Sequence, residues 1–169
     1  RAPVDVRAAK RIASGAPVSR TPALAAATWC GTATAADVTP NLVAGFPVHW
    51  VYVVPSDATD RVSAVASVMQ TDAEAIDAWW RREDPTRAPR NDLRRLPCGT
   101  QLDITSLRLS STGEELDSDF GFLDIIDGLA AAGFGSELTK YLVYYDGPVS
   151  PTPEGEVCGR GGSVGAGFG

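Results

Sequence analysis

PVHWVYVV, residues 47–54, is the stretch that decides the fold. Every residue in it is apolar, β-branched or aromatic except His49, and Pro55-Ser56-Asp57 closes it. A short apolar run bounded by turn residues reads as a strand buried on both faces, as in parallel sheets. The period then changes. Over 60–82, Val62, Val65, Val68, Met69, Ala73, Ile76, Trp79 and Trp80 recur every three or four positions and predict one face of a long helix. Ser56 or Asp57 is placed to cap it. Arg81 and Arg82 suit the negative end of its dipole, and Pro85 stops it.

Downstream the alternation repeats. LDITSLRL, 102–109, alternates apolar and polar residues and predicts a second strand. A polar loop follows, and Asp117 or Ser118 caps a predicted helix over 119–132 with apolar positions Phe122, Leu123, Ile126, Leu129 and Ala130. Gly133 fits the left-handed residue after a helix end, with Phe134 supplying the apolar contact. KYLVYY, 140–145, predicts a third strand, stopped by Asp146-Gly147-Pro148. The order β-α-β-α-β predicts an α/β fold: a layered core, a mostly parallel sheet, and both helices packed on it.

This unit occupies residues 29–147. Residues 1–28 form a basic, Ala/Pro-rich arm with Arg1, Arg7, Lys10, Arg11 and Arg20 against Asp5, and a short helix is compatible with 4–13. It reads as a linker or as a basic anchor for an anionic surface. Residues 148–169 are a Pro/Gly-rich loop or the start of a continuation. The chain opens at Arg1 without Met and carries no apolar signal core, so a processed product or a fragment is expected.

Composition narrows the function. The 169 residues carry a net charge of −6, which argues against nucleic-acid binding by bulk charge. No apolar run is long enough for a membrane span. The one histidine, His49, cannot by itself build a His-rich zinc site. Cys30, Cys98 and Cys158 each precede a glycine and are too far apart for a C-x-x-C motif. Scarce lysine and an export-like composition favour a secreted, extracellular protein in which two cysteines pair. Cys30–Cys98 is the expected disulfide, because these two Cys-Gly turns flank the first β-α unit. Cys158 is then unpaired, or paired beyond residue 169. Three buried thiols are the alternative.

Several residues have a chemical and a plain reading. His49, on a strand without a nucleophile motif nearby, reads as a hydrogen-bonded strand histidine rather than a catalytic base. Asp57 and Asp146 follow strands one and three. They are weak candidates for a ligand or cation site at the carboxyl edge of the sheet, and turn and capping roles are the alternative. RREDPTRAPRNDLRR, 81–95, reads as a solvated loop with internal ion pairs, or as a grip for an anion or a partner's carboxylates. Trp79 and Trp80 read as core anchors rather than a sugar platform.

Trp29-Cys30-Gly31, PVHWVYVVPSD, IDAWWRREDPTRAPRND, CGTQLDITSLRL, KYLVYYDG and CGRGG together resemble secreted zincin-type metallopeptidases of actinobacteria and their relatives. The resemblance covers residues 29–162 and implies the N-terminal α/β layer of a zincin. It also implies a second half bearing an H-E-x-x-H zinc helix, further cysteines and a third zinc ligand. H-E-x-x-H is absent here, so no catalytic, cofactor-binding or metal residue is carried over. The chain is then expected to be the non-catalytic upstream half, with zinc only in a downstream segment. Its expected partner is that segment or another protein, with neither nucleic acid nor a membrane span involved. The alternative is a non-enzymatic exported α/β domain with a binding or structural role at a cell surface or in an extracellular assembly.

Overall fold

β1 (Val48–Val54) is the middle strand of a three-stranded parallel sheet in the computed structural model, which describes residues 28–37, 45–118 and 121–150. The strands on its two sides are β4 (Ile104–Arg108) and β5 (Lys140–Tyr145). The apolar run is used on both faces. Trp50, Tyr52 and Val54 pack with Ala66, Met69 and Ala73 of helix α1 (Val62–Glu83), together with Trp29, Leu102 and Ile104. Val51 and Val53 face the other way, toward Leu109, Leu116, Leu129 and Phe134. Leu116 ends the single-turn helix α2 (Gly113–Leu116), and Leu129 lies on α3 (Gly121–Ala131). The α/β class and the shared sheet are therefore as the sequence predicts. The arm up to residue 27, the tail after Ser150 and with it Cys158 lie outside the described residues.

Four expectations need correction. The strand expected at 102–109 is two elements. Leu102 ends a hairpin of β2 (Leu93–Leu96) and β3 (Gly99–Leu102), and β4 begins only at Ile104. The break is Asp103, whose backbone N–H turns to the Asp92 carbonyl (3.0 Å) and whose buried carboxylate pairs with Arg94 (3.3 Å). The loop expected at 81–95 consequently ends in strand β2.

Ile76 and Trp79 are not core residues. They are 36% and 47% exposed, and Trp80 is half-buried. The last buried residue of α1 is Ala73, so the helix runs about 15 Å past its packing on the sheet. Trp79 and Trp80 pack edge-to-face on each other instead, centroids 5.0 Å apart.

The buried face of α3 is also rotated from the expected one. Ile125 and Leu129 pack inward, whereas Leu123 is 53% exposed. Gly128 explains the rotation: a Cβ there would fall 2.4 Å from Leu109 Cδ2, so this bare position lets Leu109 press on the helix. The helix ends as predicted, in a Schellman motif. Gly133 (φ +93°) donates to Ala130 O, Phe134 donates to Leu129 O (2.9 Å), and Phe134 is buried.

Finally, neither Ser56 nor Asp57 caps α1. The first helical N–H, of Val62, is accepted by Asp60 Oδ1 (2.9 Å).

A disulfide joins Cys30 to Cys98, Cα atoms 6.2 Å apart, and fastens the segment before β1 to the hairpin turn. Gln101 reinforces it by accepting from Cys30 N–H and donating to Thr28 O (3.0 and 2.8 Å). The same segment closes the outer edge of β4. Thr34 N–H donates to Ile104 O (3.1 Å), and Thr34 O accepts from Ser106 N–H (2.8 Å). No strand pairs with the outer edge of β5 among the described residues.

Candidate functional site

The carboxyl edge of the sheet, where open α/β folds take ligands, holds both aspartates named from the sequence. The fold commits each to a separate structural task. Asp57 Oδ1 accepts from Gly113 N–H (2.8 Å) at the first turn of α2, alongside a capping box formed by Thr112 and Glu115. Asp146 accepts from the Tyr52 hydroxyl and from Arg61. The Arg61 guanidinium, with a smaller contribution from that hydroxyl, holds the Asp146 carboxyl below its ordinary range against the opposing effect of burial. These are the turn and capping roles that aspartates favour at strand ends.

The side chains with chemistry in them gather at the opposite end. His49 is the second residue of β1 and is fully buried, as are Asp92, Asp103 and Thr105. His49 Nδ1 lies 2.9 Å from Asp92 Oδ2, and Nε2 lies 2.8 Å from Thr105 Oγ1. An ionised carboxylate only accepts, so Asp92 fixes the proton on Nδ1. In the neutral ring Nε2 then accepts from the Thr105 hydroxyl. Phe134 stacks on the imidazole at 5.8 Å, and Tyr141 meets it edge-on at 6.4 Å. Asp37 Oδ1 lies 4.0 Å from His49 Nδ1 and has no hydrogen-bond donor among the described residues. Burial pushes the Asp37 carboxyl above its usual value. His49 opposes that rise, and Asp92 adds to it.

Among the described residues, Asp37, His49, Asp92 and Asp103 bring ligand-type atoms within 4.8 Å of one another, so these four could surround a cation. Both imidazole nitrogens are engaged and Asp103 pairs with Arg94, whereas Asp37 Oδ1 has no donor among the described residues. Aspartate, histidine and a hydroxyl in line also have the order of an acyl-transfer relay. Here all three are sealed, and no carbonyl carbon can approach Thr105 Oγ1. The arrangement ties β1 to β4 and to the segment before β2.

The arginine-rich segment is largely paired. Arg81, Arg82, Arg87 and Arg94 meet Asp77, Glu83, Asp84 and Asp103, and the Arg94 guanidinium also lies 5.8 Å from the centre of the Trp29 ring. The sequence reading identified His49 as a bonded strand histidine but missed its partners. Those partners, Asp92 and Thr105, carry no local signal in the sequence.

No protein-family model, no curated protein and no solved structure matches this chain.

Proposed function

We propose that this chain is the upstream, non-catalytic half of a secreted zinc metallopeptidase-like protein. The observation that carries the reading is the outer edge of β5, which no strand among the described residues pairs, whereas Thr34 bridges part of the outer edge of β4. A strand edge with unpaired N–H and C=O groups is a template for further strands. A downstream segment that continues the sheet past β5 and brings the zinc helix would satisfy it. The Cys30–Cys98 disulfide supports export, since such bonds persist in oxidising compartments. The chain itself supplies a scaffold: its single histidine is locked inside β1.

The sealed state of the His49 network favours a second reading, an exported domain that binds or builds without chemistry. Intact mass of the native protein and metal analysis separate the two. The first reading expects a longer parent with a histidine pair on a helix, stoichiometric zinc and peptide hydrolysis, while the 169-residue chain alone retains no zinc through dialysis against a weak chelator. A native chain that ends near Gly169 and carries no zinc would establish the second and overturn the first.

A further inference from the structure

The geometry points to a binding groove at the amino end of the sheet for a small organic anion, a carboxylate or phosphate carried on an aromatic or aliphatic body. A cavity of about 420 Å³ lies between Phe46, Val48, the loop over 86–90 and Lys140. That volume falls in the range of small-molecule sites, roughly 300–1,000 Å³. Arg87, Arg90 and Lys140 line it, and no acidic residue does among the described residues. In a chain of net charge −6 this is a local reversal of sign.

Lys140 is the most informative residue. It is the register partner of Val48, as Leu142 is of Trp50 and Tyr144 of Tyr52. Register partners project to one face, and this row packs under α1 at Leu142 and Tyr144. Lys140 therefore stands where the row calls for an apolar side chain. It is exposed, and no ion pair holds it among the described residues. Of the lining cations, Arg87 is itself ion-paired with Asp84, so Lys140 is the cation on which the site rests. Asp84 accepts from Thr86 N–H and Oγ1 and pairs with Arg87 Nε at 3.3 Å.

The groove also has an apolar wall. Phe46 is 59% exposed beside Pro89 and Val48, a surface suited to the body of the ligand rather than to a bare ion. The walls are held by backbone bonds. Val48 N–H donates to Arg90 O (2.8 Å), and Lys140 N–H donates to Pro47 O (2.9 Å). A site fixed before binding loses less freedom on binding. Nothing in this inference depends on the peptidase reading.

The test is an amide chemical-shift titration of the 169-residue chain with phenyl phosphate, benzoate, inorganic phosphate and benzyl alcohol. Saturable shifts at residues 46, 48, 87, 90 and 140 are expected with at least one of the two organic anions. Inorganic phosphate and benzyl alcohol should bind at least tenfold more weakly than that anion. Lys140→Gln and Phe46→Ala should each weaken it about tenfold, with the thermal melt unchanged because both residues are exposed. Equal binding of inorganic phosphate, absence of saturable shifts at these amides, or a Lys140→Gln variant that binds like the parent would overturn the assignment.

Discussion

His49 shows how a polar residue comes to lie inside a strand with no exposed surface. Each ring nitrogen has one partner, and both partners lie on other segments, Asp92 before β2 and Thr105 in β4. The network therefore ties three parts of the chain at one point. Removing one member leaves the others desolvated. His49→Ala or Asp92→Ala should cost about 3–5 kcal/mol, read as a drop in the denaturant midpoint. A loss below about 1 kcal/mol would show that the pair is dispensable. Asp146 gives a pH signature of its own. Its folded pKa is depressed, so its contribution is full above the unfolded value of about 3.9 and disappears as pH falls through the lower folded value. Asp146→Asn should accordingly flatten the dependence of stability on pH below about 4, measured by urea melts across that window. An unchanged slope would place the acid sensitivity elsewhere.

Helix α1 carries two different surfaces along one apolar pattern. Met69 is fully buried under the sheet, whereas Ile76, two turns on, has left it behind. Met69→Asp should destabilise by more than about 3 kcal/mol, and Ile76→Asp by no more than about 1 kcal/mol, both read from thermal or chemical unfolding. Equal effects would mean that the distal half of α1 is covered in solution. This contrast marks the limit of what the sequence reveals. Three strands, two long helices and the Gly133 stop were legible because each rests on local periodicity or a local φ requirement. Where α1 stops touching the sheet depends on the lengths of strands outside the helix, two of which, β4 and β5, follow it in sequence. The rotation of α3 depends on Leu109 meeting Gly128. The His49 network was illegible for the same reason: Asp92 and Thr105 reach it only through tertiary register, and no spacing rule connects them.

At the scale of the whole molecule, the Cys30–Cys98 bond closes a separation of 68 residues around β1 and α1. Reduction should lower stability by roughly 4 kcal/mol through the entropy regained by the open chain. Urea melts with and without reductant measure it, and coincident curves would show that the fastening contributes nothing. Sheet order has a further consequence, in time rather than energy. Val48 and Lys140 are register partners 92 positions apart, so the central strand of the sheet leaves the ribosome well before one of its two neighbours exists. At about 5–20 residues per second, that side of β1 waits roughly 5–20 seconds during synthesis. The nascent chain must pass this interval with its most apolar strand half-paired. A pathway that keeps it unfolded until synthesis is complete, such as translocation in an extended state, would avoid the hazard that the parallel topology creates.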